Sequence, residues 1–241
     1  MGSKPLRLFV DSALSAGASV AATEAQAHYL LHVMRRAPSA PVALFNGRDG
    51  EWRARMQTPS KRHVVFEVEE KLREQTSTPD LWLAFAPVKR SDMIVEKASE
   101  LGVSALLPVM TRHTDVSRIN FDRMRSIAVE AAEQCERLSV PVIHPVQNFD
   151  AFLAGWPAAR RLYYLDETGG GVPIAAALQA EVSVTAGFLV GPEGGFAQAE
   201  RDALAQLSSA RGVGLGPRIL RAETAAFAAL SCWQALRGDW A

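Results

Sequence analysis

The N-terminal part of the chain is patterned as short alternating strands separated by turn residues. Val42–Phe45 is a short apolar run, and in Glu51–Met56 apolar side chains alternate with arginines. A further strand is predicted at His63–Glu70, where apolar residues again recur at every second position. The Asn-Gly and Asp-Gly pairs between the first two runs are typical of tight turns. This pattern predicts a small β barrel or sandwich.

After a polar segment at Glu74–Asp80, apolar strands alternate with amphipathic helices. Strands are predicted at Leu81–Ala86, Val103–Val109, Val140–Ile143, Arg161–Leu165, Gly187–Val190 and Gly212–Leu215. Helices are predicted at Ser91–Leu101, Phe121–Arg137, Ala197–Leu207 and Ala222–Leu236. In the N-terminal part, His28–Arg35 is predicted as a short helix or as a turn leading into one. The alternation predicts a mostly parallel α/β sheet, whose ligands bind beyond the carboxyl ends of the strands. We therefore expect two domains, residues 1–74 and 75–241, with candidate binding loops after Leu165, Val190 and Leu215.

Composition restricts the class of protein. The 241 residues carry 26 Lys plus Arg against 26 Asp plus Glu, and 48% are hydrophobic. These values exclude a disordered chain and a collagen-like repeat. No apolar run approaches the roughly 18 residues of a membrane span, and the N-terminus has no signal-peptide pattern. We expect a cytoplasmic protein without membrane association, in which Cys135 and Cys232 are free thiols.

Basic residues are concentrated between Met34 and Arg62. The cluster consists of Arg35, Arg36, Arg48, Arg53, Arg55, Lys61 and Arg62, against two acidic residues. A solvated face is the simplest interpretation of such a cluster in a neutral protein. Because arginine is a good bidentate partner of phosphate and stacks on bases, an RNA-contacting face is the second interpretation.

Two glycine-rich loops are predicted at the ends of consecutive strands. Gly191–Gly195 leaves an apolar strand and enters a helix, and Gly212–Pro217 lies at the end of the next strand. Neither is a P-loop or a dinucleotide fingerprint, because the required lysine and glycine spacings are absent. Each alone is typical of a tight turn, whereas the pair favours a shared pocket. The stretch Leu215–Ala226 puts Arg218, Arg221, Glu223 and Thr224 at its mouth, where capping and surface ion pairing are the plain alternatives.

The two loops together carry a family resemblance. Gly191–Phe196 reads GPEGGF, and Leu215–Ala225 reads LGPRILRAETA. They resemble the SPOUT class of S-adenosylmethionine-dependent RNA methyltransferases, and more narrowly the small-subunit ribosomal RNA uracil-N3 methyltransferases (the RsmE family). Further matching stretches are Arg7–Phe9, His28–Leu30, Phe45–Gly50, Lys97–Gly102 and Glu130–Cys135. Two departures are Glu136, where a small residue is expected, and Arg112–Asp115, where a serine is expected after the arginine.

The resemblance implies a fold, a cofactor and a partner. Expected are an N-terminal PUA-like β barrel, a C-terminal α/β domain with a deep trefoil knot, and a homodimer. S-adenosylmethionine is the implied cofactor, without a metal, and the substrate is N3 of a uridine in small-subunit ribosomal RNA or in the assembled subunit. The implied cofactor residues are Leu165, Glu167, Gly191, Pro192, Glu193, Gly194, Gly214, Leu215, Gly216, Ile219 and Leu220. The expected RNA contacts are Arg7, Arg35, Arg36, Arg53, Arg55 and Arg112.

Methylation of uracil N3 also constrains the catalytic residues. The N3 atom must lose its proton, so negative charge on the flanking carbonyl oxygens needs stabilising. Arg221, with Arg218 as second choice, is the candidate donor to those oxygens. Glu223 either accepts the proton, directly or through water, or merely pairs with an arginine. The histidines are weaker candidates because none lies in a glycine loop.

Three other functions fit parts of the sequence. One is a non-catalytic RNA-binding protein, and another is a SPOUT enzyme that acts on a different nucleotide. The third is a hydrolase that uses the two carboxylates of Glu193 and Glu223.

Overall fold

The computed structural model describes residues 5–60, 63–116, 118–180 and 185–240. The chain divides into two compact units: Met1–Ser77 with Ala132–Val140, and Thr78–Ala131 with Pro141–Ala241. The sequence pattern placed residues 132–140 in the second domain, whereas in the structure they belong to the first unit. Lys61 and Arg62 of the basic cluster lie outside the described residues.

The first unit is built on a five-stranded sheet. Its strands are β1 (Leu6–Phe9), β2 (Ser19–Ala21), β3 (Pro41–Phe45), β4 (Glu51–Ser60) and β5 (His63–Arg73). They are ordered β1-β3-β4-β5-β2, with β1 and β3 parallel and the other pairs antiparallel. The predicted alternation is present, because Ala54, Met56 and Phe66 are buried while Arg53 and Arg55 are exposed.

The helix of the first unit begins earlier than the hydrophobic pattern predicts. Helix α1 (Glu24–His28) starts after Thr23, whose side chain accepts a hydrogen bond from the Gln26 N–H in a capping box. The segment predicted as helix from His28 continues α1 as a π-helical turn, Tyr29–Val33. The Thr-x-x-Gln spacing is the signal in the sequence that locates this start.

A buried ion-pair network holds the interior of the first unit. The Glu51 carboxylate is 2.5 Å from Nε of Arg7 and 2.7 Å from Nε of Arg73. The remaining guanidinium nitrogens of Arg7 donate to the carbonyl oxygens of Ala132, Glu133 and Arg137. With a side chain only 10% exposed, Arg7 has a structural role in place of the expected RNA contact.

Glu136, where the family resemblance leads us to expect a small residue, has an unusual backbone conformation. Its backbone adopts a left-handed φ of 64°, which side-chain-bearing residues adopt at a cost. Its carbonyl oxygen accepts a hydrogen bond from Arg73 Nη2 at 3.0 Å. The departure from the family pattern thus occurs at a strained turn of the first unit.

The second unit is an α/β sheet in which every described pairing is parallel. Its strands are β6 (Leu81–Phe85), β7 (Ala105–Met110), β8 (Val142–Ile143), β9 (Gln147–Asn148), β10 (Arg161–Leu165), β11 (Val172–Pro173), β12 (Ala186–Val190) and β13 (Ala210–Gly214). The helices are α2 (Ser91–Glu100), α3 (Phe121–Gln134), α4 (Phe149–Ala154), α5 (Ile174–Gln179), α6 (Gln198–Gln206) and α7 (Ala222–Arg237). The order is β11-β13-β10-β12-β6-β7-β8, with β9 paired to β7.

Both faces of this sheet are covered. On one face, Leu189 of β12 belongs to the core cluster that contains Phe152 of α4 and Leu204 of α6. The alternate residue Phe188 is also fully buried, and α7 contacts β12. A sheet covered on both sides has apolar runs in place of alternation, which is why its central strands were predictable as short apolar segments.

No helix among the described residues is both long and apolar enough to cross a membrane. Cys135 and Cys232 are free thiols, as expected.

The Glu51 network makes the stability of the first unit pH-dependent. Burial raises the pKa of Glu51, but hydrogen bonds and charge from Arg73 and Arg7 outweigh it and hold the pKa below its ordinary value. Its stabilisation is therefore complete above the ordinary glutamate pKa, about 4.3, and is lost as the pH falls through the lower folded value.

We expect Glu51→Gln to lower the free energy of unfolding by about 3 kcal/mol at pH 7, because two arginines lose their buried partner. The difference should shrink in strong acid. Urea unfolding followed by circular dichroism measures both effects. Glu69→Gln, which removes the partner of exposed Arg53 and Arg55, is the matched control and should cost less than about 1 kcal/mol. Equal free energies of unfolding for Glu51→Gln and the wild type at pH 7 would show that the Glu51 ion pairs do not stabilise the first unit.

Candidate active site

Three loops at the carboxyl edge of the second sheet surround one cavity. They follow β10, β12 and β13, and the start of α7 completes the wall. The cavity volume is about 520 Å³, which suits a small organic ligand. Its lining residues are Leu165, Asp166, Glu167, Thr168, Gly169, Gly171, Pro173, Val190, Gly191, Pro192, Glu193, Gly195, Val213, Gly214, Leu215, Gly216, Pro217, Arg218, Ile219, Leu220, Ala222 and Ala225.

The structure brings nearly all of the predicted cofactor residues together. Of that set, Gly194 alone is absent from the wall, although its neighbours Glu193 and Gly195 are present. Most of the segment after β10, from Asp166 to Pro173, was not among the predicted cofactor residues, because the two-residue strand β11 carries no periodic signal. The loop after Leu165 was predicted as a binding loop, and extending that prediction beyond Glu167 would have included the segment.

Two glycines of the wall have close neighbours. A Cβ at Gly191 would lie 3.2 Å from the ring of Phe196, a tight contact. Gly195 has a left-handed φ of 66°, which favours glycine, and a Cβ there would lie 2.0 Å from Oε1 of Glu167.

The charges in the wall are mixed, with an acidic excess. Asp166, Glu167 and Glu193 are the acidic lining residues, and Arg218 is the basic one. The Oδ1 atom of Asp166 accepts hydrogen bonds from the N–H and hydroxyl of Thr168 at 2.9 and 2.7 Å. Burial, aided by the charge of Asp166, raises the pKa of Tyr164. The cavity is suited to a ligand that carries cationic groups and at least one anionic group.

The start of α7 forms part of the cavity wall, through the small side chains of Ala222 and Ala225. The helix begins at Ala222, with Arg221 as a cap residue whose side chain makes no capping bond. Arg218 and Arg221 are both exposed, and of the two only Arg218 lines the cavity. Ile219, between them, is 88% exposed.

Glu223 lies in the first turn of α7 with its side chain only 6% exposed. Arg90 Nη1 donates to its Oε1 at 3.0 Å. Of the two roles that the sequence left open, the structure shows the ion pair. The same geometry removes the basis for the two-carboxylate hydrolase, because Glu193 lines the cavity whereas Glu223 does not.

Most of the expected RNA-contacting arginines lie on the surface of their units. Arg53 pairs with Glu69 and Glu70, and Arg55 Nε is 2.5 Å from Glu69 Oε1. Carboxylates therefore offset part of the positive charge of this face.

The other three arginines differ from one another. Arg35 is exposed with a left-handed φ of 48°. The Nε atom of Arg36 is buried without a partner among the described residues. Arg112 is exposed in the loop after β7.

His113 contacts the glycine loop, although its sequence position makes it a weak candidate for the site. Its Nδ1 atom lies 3.1 Å from the carbonyl oxygens of both Gly194 and Gly195. The sequence makes His113 a weaker site candidate because it does not lie in a glycine loop. The contact between the loops after β7 and β12 is visible only in the structure. Within the described part of the chain, no group of three His, Cys, Asp or Glu residues could hold a metal ion.

Two family models match the chain. One, described as "RNA methyltransferase domain", covers residues 74–234. The other, described as "RNA methyltransferase PUA domain", covers residues 22–69.

Similar proteins extend these matches to nearly the whole chain. "Ribosomal RNA small subunit methyltransferase E" of Rickettsia conorii is 29% identical over 93% of each chain. The protein of the same name from Synechocystis is 33% identical over 91% of this chain and 74% of its own. The crystal structure of that enzyme from Neisseria gonorrhoeae, bound to S-adenosyl methionine, has 27% identity and a TM-score of 0.88, covering 99% of this chain and 100% of the other. The chain belongs to the ribosomal RNA small subunit methyltransferase E family.

Proposed function

We propose that this protein transfers a methyl group from S-adenosylmethionine to N3 of a specific uridine in 16S ribosomal RNA. The observation that carries the proposal is the cavity that the loops after β10, β12 and β13 form within the matched methyltransferase domain. A relative that covers 99% of this chain was crystallised with the same cofactor.

The lining residues fit that cofactor. S-adenosylmethionine carries a sulfonium, an ammonium and a carboxylate, and the wall offers Asp166, Glu167 and Glu193 to the cations and Arg218 to the anion. The apolar lining residues Leu165, Leu215 and Leu220 suit the adenine ring.

The chemical step depends on charge stabilisation by the chain. When bound, the cofactor supplies an electrophilic methyl carbon for in-line displacement. The guanidinium of Arg221, and secondarily that of Arg218, donates to the uracil carbonyl oxygens as N3 loses its proton. Glu223, held by Arg90, fixes the first turn of α7 and thereby the position of Arg221. The N3 proton leaves to water before the methyl group is transferred, because Glu223 is paired with Arg90 and does not line the cavity.

The two units divide the work in this proposal. Residues 1–74 form a PUA-like barrel that binds RNA through Arg35, Arg36, Arg53 and Arg55, and Arg112 adds a contact from the catalytic domain. Residues 75–241 form a SPOUT domain with a trefoil knot.

The enzyme acts as a cytoplasmic homodimer on ribosomal RNA or on the small subunit. The homodimer is the assembly that the family resemblance implies.

Mass mapping of small-subunit ribosomal RNA tests the proposed activity. We expect one uridine to lose its N3-methyl group in cells that lack this protein and to regain it on complementation. Loss of a methyl group at another nucleotide would reassign the substrate. An unchanged methylation map, together with no cofactor binding, would instead favour a non-catalytic RNA-binding protein.

We expect Arg221→Ala to lower kcat about 100-fold, because a donor to the developing negative charge is lost. The Kd for the cofactor should change less than about threefold. Single-turnover assays and calorimetry separate the two quantities. Arg211→Ala, which removes an exposed arginine near the amino end of β13, is the matched control. Loss of cofactor binding with an unchanged single-turnover rate would refute the catalytic assignment.

We expect Arg53→Glu with Arg55→Glu to weaken RNA binding about tenfold at low salt, with the difference decreasing as salt rises. The charge reversal removes two phosphate contacts and adds repulsion from Glu69 and Glu70. Filter binding over a salt series provides the measurement. Arg211→Glu with Arg237→Glu makes the same change of net charge elsewhere. An affinity equal to that of the wild type at every salt concentration would exclude this face from the RNA footprint.

A further inference from the structure

The loop after β7 makes a specific contact with the glycine loop after β12. Nδ1 of His113 is 3.1 Å from the carbonyl oxygen of Gly194 and 3.1 Å from that of Gly195. A carbonyl oxygen accepts hydrogen bonds and cannot donate them. Nδ1 therefore carries the hydrogen and donates to both oxygens.

A second contact joins the same two loops. Glu200 is buried in the first turn of α6, and its Oε1 accepts a hydrogen bond from the Arg112 N–H at 2.8 Å. Its Oε2 accepts one from the Ala197 N–H, also at 2.8 Å. One carboxylate thus connects the residue before His113 with the residue that caps α6.

The loop that carries His113 is itself fixed. The Thr114 hydroxyl accepts a hydrogen bond from the Thr111 N–H at 3.0 Å and lies 2.8 Å from the Thr111 hydroxyl. β12, β6 and β7 are parallel neighbours, so both loops leave the same edge of the sheet. A Cβ at Gly194 would lie 3.1 Å from His113 Cβ, which shows how closely the two loops approach.

One of the two contacted carbonyls belongs to a residue of the cavity wall, and the other belongs to its neighbour Gly194. Gly195 lines the cavity, and the carboxylate of Glu167 occupies the place of the absent Gly195 side chain. A glycine-rich segment has a large conformational entropy when nothing restrains it. His113 contacts this segment through hydrogen bonds, and the carboxylate of Glu167 lies against Gly195.

We propose that His113 is a positioning residue that holds Gly194 and Gly195 in the geometry that binds the cofactor, with Glu200 as a second tether. The inference rests on the proposed function, because the cofactor is the ligand whose binding it explains. His113 acts through the glycine loop and has no chemical step of its own.

Calorimetry with S-adenosylmethionine on the full chain tests the proposal. We expect His113→Ala to raise the Kd about tenfold, because two carbonyl oxygens lose their donor. His113→Asn should stay within about threefold of the wild type, since Asn Nδ2 stands the same number of bonds from Cβ as His Nδ1. In steady state, His113→Ala should raise KM for the cofactor by the same factor and leave kcat nearly unchanged.

The outcomes for His113→Ala, His113→Asn and the wild type separate this inference from the proposed function. Wild-type affinity in His113→Ala, or equal losses in the Ala and Asn variants, would overturn the inference and leave the proposed function intact. A wild-type chain that does not bind the compound would overturn the proposed function itself and, with it, this inference. If His113→Ala fails to fold by circular dichroism, Glu200→Gln replaces it, because it weakens the second tether. That variant should also raise the Kd, and unchanged binding would overturn the proposal.

Discussion

Parallel pairing of β10 with both β12 and β13 is the constraint on which the candidate active site depends. Parallel neighbours end at the same edge of the sheet, so the chain leaves three strands within reach of one cavity. Residues distant in sequence, such as Glu167, Glu193 and Arg218, then share a wall. If one of these pairings were antiparallel, its loop would leave at the opposite edge, and no cavity of this composition would form.

Once the loops are brought together, small residues determine how closely they approach. Gly191 and Gly195 admit a phenylalanine ring and a carboxylate where side chains would stand. Ala222 and Ala225 keep the start of α7 from filling the cavity. Contacts between distant segments accompany this small-residue backbone, since Arg90 pairs with Glu223 of α7 and His113 Nδ1 lies 3.1 Å from the carbonyl oxygen of Gly194. Flexible loops are thus anchored at a few points by residues from other loops.

Much of this arrangement was predictable from the sequence. Apolar strands ending in glycine loops located the cavity, and the alternation of β4 identified its inner and outer faces. Contacts between loops were not predictable, because the donors and acceptors of His113, Glu200 and Arg90 pair across long stretches of sequence. Arg7 shows the same difficulty, since its sequence context resembles that of an RNA contact while its guanidinium is satisfied inside the first unit. Helices of fewer than two turns, such as α4 and α5, are too short for periodicity to detect.

One cofactor should occupy the cavity formed by the loops after β10, β12 and β13. The decisive experiment is a crystal structure of the protein soaked with S-adenosylmethionine or with its demethylated product. We expect the compound to contact residues of all three loops and the first turn of α7. Density for the compound at any other place, or an empty cavity at saturating concentration, would contradict this expectation.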